Sequence, residues 1–210
     1  MKTYHVDDRL TKKNIIQICQ EKGVSLEKDD FKWNKKTYTF IAKRDGLILP
    51  FKKLNGINVI CINNCTIAVG NKCNIICRDK CTITVGNKCN IICNDNNTIS
   101  GIHSNIIKVE NDNKIEVSDG NIIRCMKSNK LICYHANQIV VDADNILETN
   151  GDDNIASCNE DNKMDINGDY NIIICNEDNA GEIHGDYNTV KCSHNNDINV
   201  NGDGNVIKYN

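Results

Sequence analysis

The sequence predicts an all-β fold, a two-sheet parallel β-solenoid of roughly 16–17 residues per coil and about nine coils with a small α+β N-terminal cap. Three observations predict it. An eight-residue unit repeats from Ile57 onward; its first position reads Ile57, Cys65, Cys73, Cys81 and Cys89, then Asn fourteen times in succession from Asn97 to Asn205. Its third and fifth positions are apolar and mostly β-branched, as in Ile67 and Val69 or Ile115 and Val117, so positions one, three and five share one face of a short strand. From Asn145 onward an extra residue enters every second octad, at Gly151-Asp152, Gly168-Asp169, Gly185-Asp186 and Gly202-Asp203. Insertions at alternate turns line one edge only if two octads make a coil, and the near-identity of residues 65–77 and 81–93 marks the same unit.

The elements follow in chain order. Residues 1–56 do not keep the period and are expected to form the cap, leaving residues 57–210 as the solenoid. Thr11 can cap a helix that carries Ile15, Ile16, Ile18 and Cys19 and stops at Gly23. Apolar and polar residues alternate over 31–33 and 37–42 around Asn34-Lys35-Lys36, a hairpin pattern, and residues 47–51 lead into the first coil. Bare strand edges recruit other chains, so covering coil one is the expected role of the head, with a separate binding head as the alternative. Beyond it, each octad gives a strand of about five residues and a three-residue turn rich in Gly, Asn, Asp and Ser.

The two unusual columns have structural readings. Corners between strand and turn leave backbone groups that the sheet does not reach; stacked Asn side chains can bond those groups and one another, and they tolerate left-handed backbone. Thirteen cysteines suggest disulfides or metal, yet the twelve in the array all fall at octad positions one or five, which marks them as small core fillers. Cys73, Cys77 and Cys81 lie ~13 Å apart along an extended chain, too far for one zinc ion. Stacking brings Cys61, Cys77 and Cys93 to ~5 Å from one another, and likewise Cys65 and Cys81, and Cys73 and Cys89. Unbridged thiols at this density predict a reducing, cytoplasmic setting. No signal peptide and no membrane-spanning apolar run is evident.

Charge is uneven. Residues 1–56 carry 13 basic and 7 acidic side chains (+6), residues 57–141 carry 9 and 6 (+3), and residues 142–210 carry 3 and 15 (−12), which sums to −3. A basic head and an acidic tail favour head-to-tail attraction or a basic partner.

Outward positions two and four are the surface that a partner meets. On one sheet they include Ile60, Ile76, Ile92, Ile106, Ile122, Val140, Ile155, Ile172 and Ile174, the candidate interface with a second copy or another protein. On the other they are polar, and Thr66, Thr82, Thr84, Thr98 and Ser100 resemble the T-x-T surface of ice-binding solenoids over three coils only. Asp152, Asp169, Asp186 and Asp203 are candidate calcium ligands; their turns resemble calcium-binding β-rolls but lack the G-G-x-G-x-D-x-U-x consensus. Catalysis has little support, since His103, His135, His184 and His194 fall in turns and no nucleophile elbow, phosphate loop or paired-His zinc motif occurs.

Late coils such as 185–190 (Gly185-Asp186-Tyr187-Asn188-Thr189-Val190) and 202–207 resemble the G-x-x-N-x-[VI] repeats of small bacterial and phage β-solenoid proteins. That resemblance spans residues 57–210 and implies the fold and a phage or bacterial source, with the host cytoplasm or a virion as the location. The expectation is a non-catalytic structural or protein–protein interaction element that self-associates, a virion component or a phage-encoded inhibitor of a host protein. The alternative is a calcium- or carbohydrate-binding solenoid that uses the acidic C-terminal turns. No cofactor, membrane or nucleic-acid partner is expected.

Overall fold

The computed structural model describes residues 10–209; residues 1–9 of the expected head lie outside them. The chain divides into two compact units, one ending at Ile106 and the other beginning at Ile107.

In the N-terminal unit, Thr11 caps the helix Lys12–Gln20 reciprocally: its hydroxyl accepts the Asn14 N–H (3.3 Å), and Asn14 Oδ1 accepts the Thr11 N–H (3.0 Å). Ile15 and Cys19 are buried, and the chain leaves the helix through Gly23 at φ 72°. Phe31–Asn34 and Thr39–Ala42 form the expected antiparallel hairpin. Its second arm then pairs in parallel with Asn58–Ile60, and Ile48–Phe51 pairs in parallel with Thr66–Val69. Two strands of the expected cap are therefore already coil, and the chain makes about ten turns rather than nine. The expected boundary at residue 56 falls among strands that pair across it. Aromatic packing hid this start: Phe40 and Phe51 fill inward sites that later coils fill with aliphatic residues. Phe31 stacks on Phe40 at 4.7 Å, and Phe51 meets Phe40 edge-on at 5.5 Å.

From there strands alternate between two parallel sheets. One runs Thr39–Ala42, Asn58–Ile60, Asn74–Cys77, Asn90–Cys93; the other runs Ile48–Phe51, Thr66–Val69, Thr82–Val85, Thr98–Gly101. The C-terminal unit has the same construction. Ile122–Lys127, Gln138–Ala143, Ile155–Glu160, Ile172–Glu177, Thr189–Cys192 and Val206–Tyr209 form one parallel sheet. Lys114–Val117, Lys130–Cys133, Ile146–Asn150, Lys163–Asn167, Ala180–His184 and Asp197–Asn201 form the other. Register is set by the period-two pattern, so Ile139, Ala156 and Ile173 stack inward while Gln138, Ile155 and Ile172 stack outward.

The corners are closed by side chains of the following coil. Asn137 Oδ1 accepts the Asn121 N–H, Asn154 Oδ1 that of Asn137, and Asn171 Oδ1 that of Asn154, each at 2.9 Å. The amide nitrogens donate to carbonyls and to the next amide, as from Asn129 Nδ2 to Lys127 O (2.9 Å) and Asn145 Oδ1 (3.0 Å). The ladder is thus as expected, with one correction: the left-handed residue is not the Asn but the one before it. Lys72 (φ 57°), Asp153 (φ 60°), Tyr170 (φ 58°) and Tyr187 (φ 56°) hold that place. A non-glycine residue there costs roughly 1–2 kcal/mol, and the ladder bonds one residue on hold the corner in place.

Cysteines at position one are also more than fillers. Asn97 Nδ2 donates to Arg78 O and Asp95 O, the carbonyls nineteen and two residues earlier. Cys81 Sγ donates to Ile62 O (3.5 Å) and Asp79 O (3.6 Å), and Cys89 Sγ donates to Gly70 O (3.3 Å) and Asn87 O (3.6 Å), at the same two offsets. Cys89 Sγ also accepts the Cys73 N–H at 3.4 Å, as Asn105 Oδ1 accepts that of Cys89 at 2.8 Å. A thiol here is a weak, compact substitute for the ladder amide. Position-five cysteines such as Cys125, Cys133, Cys158 and Cys175 are buried fillers, as expected.

Candidate functional site

The outer sheet face is the first candidate. In the N-terminal unit Ile41, Ile60, Ile76 and Ile92 are register partners in one column, and Ile76 and Ile92 are 47% and 50% exposed. The neighbouring outward column holds Asn58, Asn74 and Asn90, linked amide to amide at 2.7 and 2.8 Å. A row of isoleucines thus lies beside a row of amides linked to one another, with Lys32 paired to Ile41 as the charge at its head end. The described part of the head leaves both isoleucines open to solvent.

In the C-terminal unit the apolar residues move to the other outward column. Ile122, Ile155 and Ile172 occupy position two, with Gln138 between Ile122 and Ile155; Val140 and Ile174 occupy position four, between Arg124, Ser157 and Lys191. Ile106, the last residue of the N-terminal unit, also holds position two and is 40% exposed. The stripe expected from the sequence is therefore an uninterrupted column over Ile41–Ile92 and a patchwork broken by polar residues beyond Ile122. Pooling positions two and four concealed the switch.

The insertion turns are the second candidate. Asp152 Oδ1 accepts the Asp169 N–H, Asp169 Oδ1 that of Asp186, and Asp186 Oδ1 that of Asp203, each at 2.8 Å. These carboxylates are rungs of a second ladder that Asn carries earlier, where Asn71 Oδ1 accepts the Asn87 N–H at 2.8 Å. His135 belongs to it too: its Nδ1 accepts the Asp152 N–H at 2.9 Å, which leaves the ring proton on Nε2. One oxygen of Asp152, Asp169 and Asp186 is thus committed to backbone. Among the described residues no group of three or more His, Cys, Asp or Glu is arranged to hold a metal ion.

Beside this ladder lies a feature that sequence reasoning missed. Tyr170 and Tyr187 stack at 5.3 Å with planes 9° apart and remain 58% and 57% exposed. The repeated Gly-Asp-Tyr tripeptide, seventeen residues apart, was its signal. The glycine of that tripeptide is obligatory: at Gly185 (φ 124°) a Cβ would collide with the Gly168 carbonyl of the preceding coil.

The remaining candidates stay dispersed. Thr66, Thr82 and Thr98 stack in register, and Thr84 stacks with Ser100, a hydroxyl face confined to the N-terminal unit. His184 Nε2 meets Glu182 Oε2 at 3.1 Å, both side chains largely open to solvent. All thirteen cysteines are unbridged and buried. No helix among the described residues is long and apolar enough to cross a membrane. These features define a two-sheet parallel β-solenoid with asparagine ladders. Compared with known proteins, the chain matches no family model, no curated protein and no solved structure.

Proposed function

We propose that this protein works without catalysis, as a protein–protein interaction element that associates with a second copy of itself through the outer face carrying Ile60, Ile76 and Ile92. One observation carries the reading: half-exposed isoleucines stand in an unbroken column beside amides whose hydrogen bonds are already made. Covering such a face removes apolar area from water and leaves the bonds between the stacked amides intact. The face is also self-complementary about a two-fold axis, because each copy offers one apolar row and one amide row. A bacterial or phage setting, as a virion component or an inhibitor of a host protein, belongs to the same proposal and rests on the repeat resemblance alone. A reducing compartment belongs to it as well, supported by the unbridged thiols.

Light scattering of the full chain at micromolar concentration tests the reading. The wild type is expected to be dimeric or larger. Ile76→Lys with Ile92→Lys should yield a monomer of unchanged melting temperature, whereas Ile122→Lys with Ile172→Lys should have less effect. A strictly monomeric wild type, or oligomers indifferent to the first pair, overturns it.

A further inference from the structure

The N-terminal unit holds a hollow of about 370 Å³ at the corner that follows Ile48–Phe51 and the strands stacked on it. The residues that follow these strands are in turn Lys52, Gly70, Gly86 and Ile102, so two coils without a side chain lie between a lysine and a half-exposed isoleucine. The second ladder imposes those glycines: a Cβ at Gly70 would strike Asn55 Oδ1 and the Leu54 carbonyl, and one at Gly86 would strike Asn71 Oδ1. With coils ~4.8 Å apart, the three steps from Lys52 to Ile102 span ~14 Å. The volume lies within the range of small-molecule sites, about 300–1,000 Å³.

The polar lining consists of donors. Lys52 and Lys53 bring two ammonium groups, neither paired with a carboxylate among the described residues. Asn55 Oδ1 accepts the Asn71 N–H at 2.6 Å and Asn71 Oδ1 accepts that of Asn87 at 2.8 Å, so both amides turn oxygen to backbone and keep N–H for a ligand. Thr84 and Ser100 add hydroxyls, and no acidic residue is among the described lining.

We propose that this hollow binds a small phosphomonoester, its phosphate among the lysines and amides and its organic group against Ile102. A phosphomonoester carries about −1.5 to −2 charge at pH 7 and three strong acceptor oxygens, enough to meet ammonium, amide and hydroxyl donors together. A carboxylate brings a single charge and two oxygens. Ile102, 48% exposed, offers the organic group an apolar flank that inorganic phosphate does not use. A cationic ligand would face two ammonium groups with no carboxylate to offset them. The site needs no second copy of the chain and uses none of Ile60, Ile76 and Ile92.

Calorimetric titration of the full chain with phenyl phosphate, inorganic phosphate and benzoate tests the site. Phenyl phosphate should bind one to one, tighter than the other two anions, and more weakly as salt is added. Lys52→Ala with Lys53→Ala should weaken it by roughly tenfold or more, and Thr84→Val with Ser100→Ala should weaken it to a smaller degree. Ile102→Ser should remove the preference for phenyl phosphate over inorganic phosphate. Lys35→Ala with Lys36→Ala, an equal loss of charge in the hairpin loop, should leave binding unchanged. Each variant should keep the β-sheet circular dichroism of the wild type, since these side chains are not in the solenoid core. Absence of heat with all three anions, benzoate or inorganic phosphate bound as tightly as phenyl phosphate, or equal losses from the two lysine pairs each overturns the proposal.

Discussion

Asn145→Ala is the sharpest test of how the corners hold. Asn145 is fully buried, and its Oδ1 accepts the Asn129 N–H at 2.9 Å and Asn129 Nδ2 at 3.0 Å. Its own Nδ2 donates to Met126 O (2.9 Å), Ala143 O (2.8 Å) and Asn162 Oδ1 (3.0 Å). Alanine strands the buried Asn129 N–H, at ~1–3 kcal/mol, and removes weaker shared bonds to carbonyls that keep other partners; the total is roughly 2–4 kcal/mol. Asn145→Cys should recover about half of that, because Cys81 and Cys89 show a thiol reaching the same two carbonyls. Unfolding of a coil array need not be two-state. Urea denaturation is therefore best paired with hydrogen exchange at the Asn129 amide, which should speed up in the order wild type, Cys, Ala. An alanine variant within ~0.5 kcal/mol of wild type, or a cysteine variant no better than alanine, refutes the ladder as the main corner restraint.

Two further outcomes follow. Asp169→Asn should raise the melting temperature modestly at low salt and not at high salt, because it keeps the rung and removes one of a stack of like charges ~4.8 Å apart; a loss of stability that appears only with added calcium would mark the Asp turns as a cation site. Burial pushes the thiols of Cys133 and Cys158 up from an ordinary 9.0 to about 12. Each therefore contributes stability that is fully present below pH 9 and is lost as pH rises from 9 toward 12, so alkaline melting curves should fall over that window, and Cys133→Val with Cys158→Val should flatten them.

The sequence carried the solenoid because its evidence is cumulative: inward sites recur at fixed spacing, and a side chain eight residues on faces the same environment. Both asparagine roles expected at the corners, to backbone and to the next amide, are present. The start of the array was concealed because Phe40 and Phe51 fill the first coil with aromatic bulk that matches no later octad. Chain pattern alone also could not say which corner residue turns left-handed, since lysine, aspartate and tyrosine all do so here despite the cost. On the surface, position two and position four share a face yet form separate columns; only pairing shows that Ile92 ends one apolar row and Ile122 belongs to another.

The direction of the ladder bonds has a kinetic corollary. The rungs of the buried asparagine ladder reach backward: the acceptor for the amide of Asn113 comes from Asn129, and that for Asn137 from Asn154, sixteen and seventeen residues downstream. On a ribosome, a loop of this chain stays unlatched until its successor has emerged, so assembly trails synthesis by one full winding. Each new winding locks the one already made, and a pause in translation leaves only the newest unfastened.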